Sequence, residues 1–230
     1  MGITEAQAAV TKNTASATSD TLAYGSSVAV NSLLVAGFRF GSVGITPIVS
    51  DNVNGAWVRL ATRGTVSDGT IEVWSCLALS AGTPTVSVVV DSAATTMRWS
   101  IHAYTADTAL AVRQMNMGGS NGTPGTTASG YDITTTAPDA LVLAFEESAS
   151  NGQTYTAEAT YTLRAEVPAA PNSRYTMAHK IATTSGAYSG TFTFSGADNW
   201  QAILVAFDAQ PPTTVLGRRA FPKFLLRGPA

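Results

Sequence analysis

Glu146 and Glu147 close the apolar run ALVLAFEES, and a pair of carboxylates is what glycoside hydrolysis requires. Neighbours on a strand point to opposite faces, so these two do not converge. Asp132, Asp139 or Glu158 could partner one of them only if the fold brought it near. Acyl transfer needs a hydroxyl or thiol, an imidazole and an acid within mutual reach. The two histidines, His102 and His179, each fall on the polar side of an alternating run, where solvated or interfacial positions are expected. No G-x-S-x-G turn is present. Cys76, the one cysteine, sits in the apolar run TIEVWSCLAL, reads as a small buried hydrophobe, and has no partner for an internal disulfide. Asp51, Asn52, Asn54 and Gly55 make an oxygen-rich turn, but with one carboxylate it is poor in anionic ligands for calcium. Asx-Gly turns also form for backbone reasons alone. No Cys/His spacing suits zinc, and no phosphate-binding or dinucleotide fingerprint occurs. The expectation is a protein that is not an enzyme and takes no cofactor or metal.

Aromatic side chains offer a different chemistry, stacking on sugar rings. Trp57, Trp74, Trp99 and Trp200 lie inside apolar strands or at a strand start, which assigns them to the core. Tyr155, Tyr161, Tyr175 and Tyr188 cluster in the last third and are the candidates for a glycan-facing row.

The last stretch, VLGRRAFPKFLLRGPA, differs from the rest of the chain. Arg218, Arg219, Lys223 and Arg227 are interleaved with Phe221, Phe224, Leu225 and Leu226, with no acidic residue among them. Of 13 Lys and Arg in the chain these are four, so the remaining nine face all 15 Asp and Glu, a formal −6 against +4. A disordered end is ordinarily poor in large apolar residues. This one is expected to fold on contact with a protein partner, its aromatic rings buried and its arginines paired to carboxylates. Four cations are a weak footprint for nucleic acid, and Pro222 interrupts any amphipathic helix for a membrane, so neither partner is expected.

The elements that must hold these residues are strands. Short β-rich runs are broken by clusters of Gly, Pro, Asn, Asp and Ser. In TIEVWSCLAL, Ile71, Val73, Ser75 and Leu77 share one face; in MRWSIHAY, Met97, Trp99, Ile101 and Ala103 do. LLVAGF (33–38), ALVLAF (140–145) and AILVAF (202–207) are continuously apolar and predict central strands covered on both sides. TEAQAAV (4–10) reads as one or two helical turns, MGGSNGTPGTTASG (117–130) as a surface loop, and 165–174 as a Pro-containing connection. No repeat of fixed period is visible. The pattern predicts an all-β protein, a two-sheet antiparallel β-sandwich of jelly-roll type with an extended C-terminal arm. Its divisions are an N-terminal segment (1–14), the sandwich (15–209) and the docking arm (210–230).

A set of motifs occurs in one order: LLVAGFRF, IVSDNVNGAWVRLA, GTIEVWSCLA, TTMRWSIHAYT, TTTAPDALVLAF and NWQAILVAFDA. This resembles a β-sandwich domain of bacteriophage structural proteins and bacterial surface or secreted proteins. The matching positions are Val49, Ser50, Asp51, Asn54 and Trp57, then Trp74 and Cys76, then Tyr104, and last Trp200, Ala202 and Phe207; one extra residue separates Asn54 from Trp57. The resemblance covers about residues 15–209 and implies a fold more than a task. It implies a virion structural protein, such as a capsid decoration, head-fibre or tail-associated component. Such a protein contacts other virion proteins and self-associates, a trimer being one symmetric form. No basic n-region precedes an apolar h-region, so assembly into the virion in the host cytoplasm is expected. The alternative is a lectin-like module or host-surface adhesin that binds a cell-surface glycan.

Overall fold

The structure, a computed structural model, describes residues 2–65, 69–136, 138–149, 153–169 and 173–209. Every regular element among them is a strand, and every strand pairing is antiparallel. The first half holds β1 (Thr4–Ala23), β2 (Leu33–Phe40), β3 (Pro47–Asp51), β4 (Gly55–Ala56), β5 (Val58–Thr65), β6 (Gly69–Leu77) and β7 (Thr85–Thr105). The second holds β8 (Leu110–Gly119), β9 (Gly125–Ala128), β10 (Ile133–Thr135), β11 (Ala140–Ser148), β12 (Tyr155–Ala157), β13 (Thr162–Ala169), β14 (Ser173–Ala182), β15 (Gly186–Tyr188), β16 (Phe192–Asp198) and β17 (Trp200–Ala209).

Three expectations fail locally. Residues 4–10 are extended, and with 11–23 they form β1, whose pairing with β7 supplies long-range hydrogen bonds that outweigh the helical preference of Glu, Ala and Gln. Residues 4–14 thus pair with β7 as 15–23 do. The stretch 117–130 contains β9, paired with β16, and 165–174 contains the ends of β13 and β14.

The two halves repeat one topology. The second half has a five-stranded sheet in the order β13-β14-β11-β17-β8. The first half has β5-β6-β2-β7 in the same order, with β1 paired beside β7. On the other side, β12-β16-β9 corresponds to β3, the first part of β7 and the second part of β1. The pair β10–β15 corresponds to the isolated bridge Val28–Gly82. The registers agree residue by residue. Leu33 pairs with Leu77 and Tyr104, and Leu141 with Ile181 and Phe207. Even the bulge recurs, at Leu60 between Arg59 and Ala61 and at Arg164 between Leu163 and Ala165. The chain is thus a duplication, which the sequence reading missed.

One difference separates the halves. β1 and β7 run unbroken through both layers of their half, so its strands curl nearly into a barrel. The second half is interrupted between β8 and β9, where Asn121 and Gly122 take positive φ of 51° and 84°, and at Asn199 between β16 and β17. Those breaks divide it into separate sheets.

Three layers of core follow. Phe38, Phe40, Val86, Val88, Trp99 and Ile101 fill the first half. Val142, Ala144, Phe192, Phe194, Leu204 and Ala206 fill the second. Between the halves, Val35, Ile71, Val73 and Tyr104 meet Leu143, Phe145, Met177, Val205 and Phe207. β2 and β11 are buried at every position, and so are residues 201–208 of β17, because each lies between two cores. That accounts for the three continuously apolar runs.

Candidate functional site

The centre of the molecule is polar as well as apolar. Phe145 and the hydroxyl of Tyr175 lie against Gly37 so closely that a Cβ there would stand 2.6 and 2.2 Å from them. One turn of the pleat further on, Arg39 Nε donates to Glu147 Oε2 at 3.1 Å, both side chains buried. Arg39 also donates to Thr96 Oγ1 at 2.8 Å, and Gln201 Nε2 donates to Glu147 Oε1 at 2.6 Å and to the Gly69 carbonyl at 3.2 Å. Arg98 donates to the Ser173 hydroxyl, and burial together with the charge of Arg39 lowers its pKa to about 10. These groups link the seven-stranded sheet of the first half to the five-stranded sheet of the second, and Arg39, Arg98, Glu147, Ser173 and Gln201 are buried.

Glu146 and Glu147 diverge as strand geometry requires. Glu147 faces Arg39, whereas Glu146 faces the second half's own core and accepts from Thr176 Oγ1 at 2.9 Å. Burial holds the Glu146 carboxyl well above the ordinary range, and Glu147 and Asp198 add to the shift.

Neither histidine is solvated. His102 is fully buried and His179 is 8% exposed, because the strand face that carries them is covered by the opposite half. His102 Nε2 lies 2.7 Å from Ser100 Oγ, which lies 2.8 Å from the Tyr175 hydroxyl; His179 Nδ1 lies 3.0 Å from the Tyr104 hydroxyl. Burial, with a smaller contribution from His179, lowers the His102 pKa to about 3; burial and the charge of Arg164 lower that of His179 to about 4. A hydroxyl and an imidazole do meet, but inside the buried layer between the two halves.

Three indoles each donate to a carboxylate in the first half. Trp57 bonds Asp51 at 2.8 Å, Trp74 bonds Glu72 at 2.7 Å, and Trp99 bonds Asp20 at 3.0 Å. The Asp51 turn is a clip: Oδ1 accepts from the amides of Val53 and Asn54, Asn54 Oδ1 accepts from those of Leu79 and Ser80, and Asn52 Oδ1 from that of Thr85. Its oxygens are taken by N–H groups, which explains the motif without an ion. Among the described residues no three His, Cys, Asp or Glu stand together as metal ligands. Cys76 is half-buried, and burial with the nearby Asp51 charge pushes its thiol up to about 11, away from reactive thiolate.

A pocket of about 300 Å³ opens beside β5 and β6, walled by Val43, Gly44 and Ile45. Its polar lining is Arg59, Thr62, Thr65, Thr70 and Glu72. Glu72 accepts from Arg59 at 3.3 Å, from Thr62 at 3.0 Å and from the Trp74 indole, and burial raises its pKa against those bonds. The Arg59 side chain, 42% exposed, also lies 5.8 Å from the centre of the Trp74 ring.

The tyrosines expected to face a glycan do not form a row. Tyr175 is fully buried and Tyr161 is 8% exposed, each packed in a core. Tyr155 and Tyr188 are half-buried and carry cations over their rings, Arg174 at 4.4 Å and Lys180 at 4.8 Å. Of the tryptophans, Trp57, Trp74 and Trp99 are buried as expected, and Trp200 is half-buried. The docking residues Arg218, Arg219, Phe221, Lys223, Phe224, Leu225, Leu226 and Arg227 lie outside the described residues. Sequence reading missed Arg59 and Glu72; the signal available was a charged residue inside each of two alternating strands.

Comparison with protein-family models, with curated proteins and with solved structures gives no match. What fold and site define together is a class, an antiparallel all-β protein with two topologically equivalent halves joined through a buried polar and apolar interface.

Proposed function

We propose that the chain is a non-enzymatic structural protein of a bacteriophage particle, a capsid decoration, head-fibre or tail-associated component. It displays a β-sandwich body and anchors through the arm 210–230, where Arg218, Arg219, Lys223 and Arg227 pair with a virion partner and Phe221, Phe224, Leu225 and Leu226 enter its surface. Homo-oligomerisation, as a trimer for example, multiplies such weak contacts. Nucleic acid and membrane have no part in it. The observation that carries the reading is the Arg39–Glu147–Gln201 link: charged groups at the centre join layers and serve no cleft, as befits a scaffold. Deleting residues 213–230 tests it. The deleted protein is expected to fold and to be missing from purified particles; retained attachment overturns the anchor.

A second reading, a glycan-binding module or host-surface adhesin, is favoured by the pocket at Arg59 and Glu72. The two are compatible on one particle.

A further inference from the structure

We propose that the pocket beside β5 and β6 binds one neutral sugar unit, a hexose or hexosamine, through Arg59, Glu72 and the threonine hydroxyls, and that the chain has one such site and not two. The inference rests on the second reading above and gives it an address.

The lining selects the ligand by charge balance. Arg59 and Glu72 are the charged residues of the pocket, and they compensate each other at 3.3 Å. An anion would meet the Glu72 carboxylate and a cation the Arg59 guanidinium. A polyhydroxylated ring meets neither objection, because each hydroxyl both donates and accepts. Arg59 offers a planar fork of donors with one N–H engaged by Glu72. The oxygens of Thr62 and Thr70 offer acceptors, since their own protons go to Glu72 and to the Ser42 carbonyl. Trp74 holds both charged groups in place, bonding Glu72 through its indole N–H and underlying Arg59 with its ring. The volume suits a single ring and no more.

The duplication supplies the internal comparison. By register, Thr70 corresponds to Arg174, Thr62 to Glu166 and Glu72 to Thr176. In the second half Arg174 stands where the first half has Thr70. Its guanidinium pairs with Glu166 at 2.5 Å, donates to the Gln153 carbonyl at 2.5 Å and lies over the Tyr155 ring. A long side chain so engaged leaves that half without the small Thr70 that opens the first-half pocket, which is the ground for a single site.

The test is ligand-observed NMR and calorimetry on the full chain with glucose, galactose, mannose and N-acetylglucosamine, and with acetate and arginine as charged probes. At least one neutral sugar is expected to bind saturably, at about millimolar strength and one per chain. Arg59→Ala is expected to weaken binding about tenfold or more by removing a charged donor. Thr70→Arg, which installs the second half's side chain, is expected to abolish it. Tryptophan fluorescence checks that each variant is folded, and Thr70→Val, expected to weaken binding, serves if Thr70→Arg is not. Saturable binding that survives these variants, tighter binding of acetate or arginine, or no neutral sugar bound at about tens of millimolar each overturns the proposal. Loss of sugar binding without loss of particle attachment leaves the anchoring role standing, so the two failures are separable.

Discussion

Phe145 rests on Gly37, and each occupies the position in its half that the other occupies in the opposite half. The same holds for Arg39 and Glu147, which are topological counterparts and bond each other. The contact therefore lies on an approximate two-fold axis, as at an isologous dimer interface. Its members have diverged into complements, a ring against a bare backbone and a cation against an anion.

The close approach at Gly37 predicts intolerance of a methyl group. Gly37→Ala must displace Phe145 and break the hydrogen bond between Tyr175 and Ser100. Urea denaturation should show a loss of about 1–3 kcal/mol, the range for overpacking. Trimming the ring as well, in Gly37→Ala with Phe145→Leu, should return part of it. A single variant as stable as the parent would mean that the two sheets are not in contact here.

Removing one member of the central ion pair should cost more than removing both. Arg39→Leu removes the guanidinium that Glu147 bonds and leaves its carboxylate buried beside Gln201, and a loss of about 3–5 kcal/mol is expected. Glu147→Leu added to Arg39→Leu should recover much of that loss. The double-mutant cycle reads the coupling directly, and additivity would argue against the pair.

Acid should loosen the centre through its imidazoles. The His102 pKa falls from 6.5 to about 3 on folding, chiefly through burial. The stabilisation this represents is complete above about pH 6.5 and is lost progressively as pH falls toward 3, because the unfolded chain takes the proton first. His179 acts in the same sense. Stability measured by urea from pH 7 to pH 4 should therefore decline less steeply in His102→Asn than in the parent. Parallel curves would place His102 in contact with water.

Much of this architecture was legible in the sequence, and the parts that were not have identifiable causes. LLVAGF, ALVLAF and AILVAF announced strands covered on both sides, and the alternation in TIEVWSCLAL gave the faces of Ile71 and Glu72 correctly. The duplication was hidden because strand order and register are preserved while side-chain identity and volume are kept at scattered positions only. Leu33/Leu141, Ala36/Ala144, Ala61/Ala165 and Ala78/Ala182 agree, but by register Trp74 corresponds to Ala178 and Gly37 to Phe145. A periodicity search has little to find there. The polar side of MRWSIHAY looked like a solvent face, since one strand cannot reveal a second sheet lying over it. Arg39 and Glu147 are 108 residues apart, and no local pattern joins them.

The turn between Thr105 and Leu110 tethers two mutually complementary surfaces on one polypeptide. Subunits that met by diffusion would separate on dilution, and their shared face would have to be identical on both sides. A tether makes the encounter intramolecular at any concentration and lets each side mutate alone. Phenylalanine opposite glycine is a solution closed to two identical copies and open to this covalently joined pair.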